Sequence, residues 1–225
     1  MRSILFKDFE ERSQEVSKFL MLLKNLEQGS IKLNMGNSRN KKNKIIDPDL
    51  DKTLRSTGYL LLYNLVESAM RNAIEVICNE IKSNDIAFDE LRDELKQNII
   101  KNFKKNHSHK NSVEDIENIS VYIAFIGLSS EKAFSGNITA EVIKQAAIAY
   151  GFSCETNARK TKNGADIKQI KNRRNDLAHG IESFKEVGKY ATADDLLRIK
   201  KSVICYLREI LENIEYYISN KEYLK

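Results

Sequence analysis

The sequence predicts an all-α fold, and two observations lead to that prediction. Its 225 residues include 1 proline and 9 glycines, whereas an all-β fold needs frequent turns, which these residues make. Apolar residues also recur at helical spacing over several long segments. With 41% hydrophobic and 31% charged residues, the composition is that of a globular protein, and the length suits one domain with a substantial core. We therefore expect a single helical domain over residues 1–225.

Two long helices are expected in the first third of the chain. The first covers about residues 4–28, with an apolar stripe of Leu5, Phe9, Val16, Phe19, Leu20, Leu23 and Leu26. Residues 29–47 are polar and are expected to form a loop. The second helix begins at Pro48, with Asp47 as its N-cap, and continues to about Lys82. Because its centre is apolar on most faces, we expect it to be the most buried helix.

Three further helices are expected in the middle of the chain. They cover about residues 88–103, 116–128 and 140–150, and Thr139 is the N-cap of the third. Polar residues 104–114, rich in Lys and Asn, separate the first two helices. The last two of these helices are shorter than those predicted at either end of the chain.

Two further helices complete the predicted core. One covers about residues 165–178, and the other about 192–220, where Thr192 and Asp195 have the spacing of a capping box. The apolar stripe of the last helix alternates in steps of three and four, which suits packing in a bundle. We expect a four-helix bundle core, with residues of about 84–160 as a helical insertion.

Composition and missing motifs exclude several functional classes. The net charge of +5 and the pI near 8.9 are a mild basic excess, compatible with a polyanionic partner. The three cysteines are far apart in sequence, which favours reduced thiols over disulfides or a thiolate zinc site. No P-loop, nucleophile elbow, zincin motif or dinucleotide fingerprint occurs, so we predict neither cofactor nor metal. His107 and His109 belong to a polar connector and are expected to be solvated.

Neither the N-terminus nor any later segment predicts a membrane-targeted protein. The first residues meet acidic side chains by Asp8 and contain no sustained apolar run, so we expect no signal peptide. The longest apolar runs are a few residues long, far short of a membrane span. We expect no membrane partner and a cytoplasmic location.

A basic segment leads into the predicted helix of residues 165–178. It contains a single acid, Asp166, and seven basic residues: Arg159, Lys160, Lys162, Lys168, Lys171, Arg173 and Arg174. A solvated helix face is one explanation. The other is a track for RNA phosphates, since lysine and arginine release counterions when they bind a polyanion. The position of the segment, directly before His179, favours the RNA-binding interpretation.

Two small constellations contain candidate catalytic side chains. Asn175 and His179 are i,i+4 neighbours on a regular helix, while Arg174 lies about 140° around the axis from His179. By spacing alone, such an arginine and histidine are more often structural than functional. Glu67 and Arg71 form an i,i+4 pair inside the apolar second helix, where charges must be paired or functional.

The run IKQIKNRRNDLAHG resembles the R-x4-6-H signature of the HEPN superfamily (higher eukaryotes and prokaryotes nucleotide-binding domains). Arg174 and His179 enclose four residues, and Asn175 occupies the polar position after the arginine. The runs YNLVESAMRNAIEVI and HGIESFKEVGKYATADDL resemble bacterial HEPN proteins of toxin–antitoxin and antiphage loci. The resemblance covers roughly residues 50–83 and 165–220, and it does not explain the middle of the chain.

The resemblance implies a HEPN-like four-helix bundle and a metal-independent endoribonuclease with a composite site at a homodimer interface. His179 would accept or donate a proton, Arg174 would hold phosphate oxygens, and Asn175 would orient the histidine or the substrate. Asp176 is expected either to have a structural role at the helix end or to support the catalytic residues without contacting the substrate. Glu67 and Arg71 are interpreted either as a buried ion pair or as supporting residues of the site.

Two functions stay open at this point, and a third is a helical scaffold without a nucleic-acid role. The first is a toxin or antiphage-defence effector that cuts tRNA, mRNA or similar single-stranded loops. The second is a non-catalytic HEPN module that binds RNA, a nucleotide, or a partner such as a nucleotidyltransferase or an antitoxin. Growth and RNA integrity after expression would separate the first two.

Overall fold

The fold is all-α, as the sequence predicts. A computed structural model describes residues 4–35, 42–44, 46–105, 118–130 and 133–225. Its α-helices are α1 (Ile4–Glu27), α2 (Pro48–Ser83), α3 (Asp93–Lys105), α4 (Ile119–Gly127), α5 (Ala140–Tyr150), α6 (Ala158–Thr161), α7 (Ala165–Ala178), α8 (Phe184–Val187) and α9 (Ala193–Ser219). Short 3-10 turns occupy Phe88–Glu90 and Lys162–Gly164. None of these described helices is both long and apolar enough to span a bilayer.

Helix α2 lies at the centre of a bundle formed with α1, α7 and α9. It contacts all three, and α8 as well. Side chains along its length, from Tyr59 through Val66 and Ala73 to Ile81, are buried on several faces. Such a helix is stabilised mainly by the burial of apolar surface. The prediction that α2 is the most enclosed helix is confirmed.

Local caps set the ends of the long helices. Asp47 directly precedes Pro48, the first residue of α2, and its carboxylate accepts a hydrogen bond from the backbone N–H of Leu50 at 3.1 Å. Thr192 and Asp195 form the expected capping box at the start of α9, and the bond from the Thr192 N–H lowers the pKa of the Asp195 carboxyl. Because these contacts depend on neighbouring residues, they were predictable from the sequence.

Two predicted segments differ in the structure. Residues 29–47 were expected to be a loop, but Leu33–Met35 (β1) and Lys42–Lys44 (β2) pair as a short antiparallel hairpin. Strand pairing uses backbone groups, which polar side chains do not prevent. The predicted helix over 88–103 is interrupted, and α3 begins only at Asp93 because Leu91 bridges Leu224 and the N–H of Arg92 donates to the carbonyl of Tyr223.

The helices of the middle region pack mainly on one another. Helix α3 contacts α4 and α5, and α5 reaches α7 of the bundle. The loop between α4 and α5 continues this connection: Phe134 and Ile138 are buried, and both belong to the same apolar core as α2. This loop is the part of the middle region that approaches the candidate motif.

The contact between α8 and α2 depends on Gly188. A Cβ atom at this position would overlap the carbonyl oxygen of Lys52 and would lie 2.7 Å from the Lys52 Cα. Backbone atoms cannot turn away as a side chain does, so we expect Gly188→Ala to lower the free energy of unfolding by about 1–3 kcal/mol or more. Urea unfolding tests this, with Lys189→Ala, at the exposed neighbouring position, as the control. An unchanged midpoint for Gly188→Ala would contradict the close packing.

Candidate functional site

The end of α7 presents His179 to solvent. His179 is the C-cap, and its N–H donates to the Asn175 carbonyl at 3.0 Å. Gly180 follows with a φ of 66°, which lets the N–H of Ile181 donate back to the Asp176 carbonyl at 2.9 Å. Within the described part of the chain, the imidazole has no hydrogen-bond or ion-pair partner, so both ring nitrogens are accessible to a ligand.

Arg174 lies on the side of α7 that faces the bundle. Its guanidinium carbon is 4.6 Å from the centre of the Tyr63 ring, a cation–π contact. Its Nη1 donates to the side-chain oxygen of Asn175 at 3.0 Å. No carboxylate among the described residues forms an ion pair with Arg174, which is half-buried. The remaining guanidinium N–H groups are therefore available to an anionic ligand.

The neighbouring arginine is engaged in structural contacts. Arg173 pairs with the Asp176 carboxylate at 3.3 Å and stacks on the Tyr190 ring, 3.5 Å from its centre. Tyr190 in turn donates to Glu182 at 3.0 Å. The structure thus separates two arginines that are adjacent in sequence, since Arg173 already has a carboxylate partner and Arg174 has none in the described chain.

The loop between α4 and α5 contacts Tyr63 and Asn175, the two residues that contact Arg174. The Tyr63 hydroxyl donates to the carbonyl of Gly136 at 2.6 Å, and the Tyr63 hydroxyl oxygen accepts from the N–H of Ile138 at 3.0 Å. Asn175 donates through Nδ2 to the side-chain oxygen of Asn137 at 2.8 Å. Burial raises the pKa of the Tyr63 phenol, with Glu67 adding to the shift. The phenol therefore stays protonated and keeps its donor.

Glu67 and Arg71 lie one and two turns beyond Tyr63 on α2. The guanidinium of Arg71 donates through Nε and Nη2 to one Glu67 oxygen, at 3.0 and 2.9 Å. Its Nη2 also donates to the carbonyl of Phe134 at 3.2 Å. The pair is partly exposed, at 24% for Glu67 and 35% for Arg71. Through Phe134 the pair is bonded to the same loop, and within the described structure it has no direct contact with His179.

The basic residues before the motif fall into two groups, one before the start of α7 and one along the helix. Lys162 pairs with Asp166 at 2.9 Å, and Arg159 and Lys160 belong to α6, which packs on α9. Helix α7 rises by about 21 Å from its start to His179, so these three residues lie far from the imidazole. Lys168 is exposed and Lys171 is half-buried along the helix between the two ends.

An open groove of about 640 Å³ follows the outer face of α7. It is lined by Ala165, Lys168, Gln169, Asn172, Arg173, Asn175 and Asp176. Amides and a lysine are suited to hydrogen bonding with ribose, base edges and phosphate. A larger cavity of about 780 Å³, lined by Cys154, Phe152 and Tyr206, lies between α5 and α9, away from the motif.

Among the described residues, no cluster of three or more His, Cys, Asp or Glu side chains could hold a metal ion. His107 and His109 lie outside the described residues. The three cysteines are free thiols, and burial raises the pKa of Cys78 to about 11.

The sequence did not indicate two residues that contact the motif, Tyr63 and Asn137. Tyr63 precedes Glu67 and Arg71 by one and two helical turns, so the face that these residues share was a usable signal. Asn137 is 38 residues from Asn175 and belongs to a turn, so no local pattern pointed to it.

Comparison with known families gives a match over nearly the whole chain. The model of the HEPN_MAE_28990-like HEPN family matches residues 1–223. No curated protein and no solved structure matches the chain. The family match extends over the middle region, which the signature around Arg174 and His179 does not cover, and it agrees with the all-α fold. The chain therefore belongs to the HEPN superfamily, as a member of its MAE_28990-like family.

Proposed function

We propose that the protein is a metal-independent endoribonuclease that acts as a cytoplasmic toxin or antiphage-defence effector. One observation carries this proposal. At the exposed end of α7, the Arg174 guanidinium and the His179 imidazole lie five residues apart, and neither has a carboxylate partner in the described chain. A cation for phosphate and a group that transfers protons near neutral pH are the two requirements of RNA cleavage by its own 2′-hydroxyl.

The reaction that fits these groups is an internal transesterification. A base removes the proton of the 2′-hydroxyl, and the 2′-oxygen attacks the neighbouring phosphorus. The bond from phosphorus to the 5′-oxygen breaks as an acid gives that oxygen a proton. The products are a 2′,3′-cyclic phosphate and a 5′-hydroxyl. Arg174 would hold the non-bridging oxygens while negative charge develops on them, and Asn175 would keep the guanidinium in place.

A second copy of the chain would complete this site. The step needs a base and an acid, but each chain offers one imidazole at the motif, and Arg174 does not contact His179 within the described structure. In a two-fold dimer both copies of α7 present the same residues at the axis. Ile181 and Phe184, exposed at 69% and 40%, follow His179 and provide apolar surface for such contact. Residues 84–160 would then be an insertion that supports one HEPN-like domain of residues 1–225.

A non-catalytic RNA-binding module is the second candidate. The groove along α7, with Lys168, Gln169 and Asn172, has hydrogen-bonding groups for RNA that do not depend on His179. Here Lys168 and Lys171, with Arg159 and Lys160 at the far end, would bind phosphates. A partner nucleotidyltransferase or antitoxin would bind to the same protein.

The test is incubation of the purified chain with total RNA in EDTA, followed by analysis of the RNA ends. The first candidate requires 2′,3′-cyclic phosphate and 5′-hydroxyl ends, together with growth arrest when the protein is expressed. Tight RNA binding without new ends, and harmless expression, would support the second candidate and exclude the first.

The proposed composite site predicts that activity depends on protein concentration. Below the dissociation constant of the dimer, cleavage per chain should fall in proportion to the dimer fraction. Serial dilution with a labelled RNA, alongside sedimentation, measures both quantities. A cleavage rate per chain that stays constant into the range where only monomer sediments would contradict the shared site.

A further inference from the structure

We propose that Asn137 is a positioning residue, which orients the Asn175 amide and through it the Arg174 guanidinium. The catalytic consequence rests on the proposed function, but the orientation itself does not. Asn137 belongs to the loop between α4 and α5, so the middle region of the chain would contribute directly to the motif.

The direction of the hydrogen bonds carries the argument. The Oδ1 of Asn175 accepts from Nη1 of Arg174 at 3.0 Å, so the Nδ2 of the same amide points away from the guanidinium. That Nδ2 donates to Oδ1 of Asn137 at 2.8 Å. If this acceptor were removed, the Asn175 amide could turn over, and its N–H groups would then face those of Arg174. Two donors cannot bond to each other, so Arg174 would lose its anchor.

The loop holds Asn137 firmly, although the side chain itself is exposed. Before Asn137 in the chain, the Phe134 carbonyl accepts from Arg71 at 3.2 Å and the Gly136 carbonyl accepts from the Tyr63 hydroxyl at 2.6 Å. After it, the N–H of Ile138 donates to the Tyr63 hydroxyl at 3.0 Å. The Tyr63 that holds the loop is also the ring under Arg174, at 4.6 Å. Helix α2 therefore contacts both the loop that contains Asn137 and the guanidinium of Arg174.

Direct contact between Asn137 and RNA is the competing role, since its Nδ2 has no partner among the described residues. Asn137→Asp separates the two roles. Aspartate keeps an oxygen that accepts from Asn175 but lacks the amide donor, whereas alanine lacks both. For a positioning residue, kcat should fall about 10- to 100-fold in Asn137→Ala and recover in Asn137→Asp, with any charge repulsion confined to KM. An equal loss of kcat in both variants would overturn the positioning role.

Side-chain NMR of the RNA-free protein tests the inference without reference to activity. The Asn175 amide and the Arg174 Nε–H should be ordered in the native chain, and Asn137→Ala should lower both order parameters. Ser135→Ala is the matched control, because Ser135 is exposed in the same loop and contacts neither group. Unchanged order in Asn137→Ala would overturn the inference. If the native protein cuts no RNA, the proposed function fails, and this measurement still decides the role of Asn137.

A double-mutant cycle separates positioning from a general effect on the loop. If Asn137 acts through Asn175, Asn137→Ala should have no further effect on the order of Arg174, or on kcat, in a chain that already contains Asn175→Ala. Additive losses would show that the two residues act independently and would contradict the proposal. Thermal unfolding of each variant confirms that the fold is kept.

Discussion

His179→Ala is expected to abolish RNA cleavage while the protein stays folded. Loss of a general acid or base typically slows a reaction about 10²- to 10⁴-fold, and in a two-fold dimer this substitution removes both imidazoles at once. The side chain is exposed and has no partner in the described structure, so the free energy of unfolding should change by less than about 0.5 kcal/mol. The measurement is single-turnover cleavage in EDTA, paired with thermal unfolding.

The control for this prediction is His107→Ala. His107 belongs to the polar connector outside the described residues, and we expect its removal to leave cleavage at the native rate. Native activity in His179→Ala would exclude His179 from the chemistry. Equal losses in both variants would mean that histidine content alone, and not the end of α7, matters.

The second large effect is expected for Arg174→Lys. Lysine keeps the charge but loses the planar fork, so it can neither bond to Asn175 in the same geometry nor stack on Tyr63 while contacting phosphate. Removal of a group that stabilises developing charge costs about 10² to 10³ in kcat. We expect a loss of that size, with a smaller change in RNA affinity, since the charge is retained. Rapid-mixing kinetics at saturating RNA measures kcat separately from RNA affinity.

Arg173→Ala is the matched control, one residue away. Its side chain pairs with Asp176 and stacks on Tyr190, so this variant should lower the melting temperature and keep most of the cleavage rate of the folded protein. The opposite pattern, slow cleavage by Arg173→Ala and native cleavage by Arg174→Lys, would show that Arg173 and not Arg174 contacts the phosphate.

Comparison of particular elements shows where sequence reasoning succeeded and failed. The starts of α2, α5 and α9 were predicted closely, because Asp47, Thr139 and Thr192 each cap a helix by accepting from a backbone N–H three residues later. The start of α3 was wrong, since the break at Leu91 depends on pairing with Leu224, more than a hundred residues later. Helix caps between neighbouring residues could be predicted from the sequence, whereas pairing between distant residues could not.

The candidate site follows the same division. The residues of the motif, Arg174, Asn175 and His179, were identified from the sequence, and their assignment to a catalytic role stays a prediction. The sequence assigned Arg174 to the motif and Arg173 to the RNA-binding segment, but it did not indicate that Arg173 pairs with Asp176 and stacks on Tyr190. Only the surroundings of the two arginines decide which one has a carboxylate partner.

By itself, the sequence determined the all-α fold, the ends of the long helices and the HEPN motif at the end of α7. These depend on periodicity, caps and residue identities close together along the chain. The tertiary structure decided that Tyr63 lies under Arg174 and that Asn137 meets Asn175. Contacts of this kind form between residues distant in sequence, and they exist only after α2, α7 and the loop between α4 and α5 have packed together.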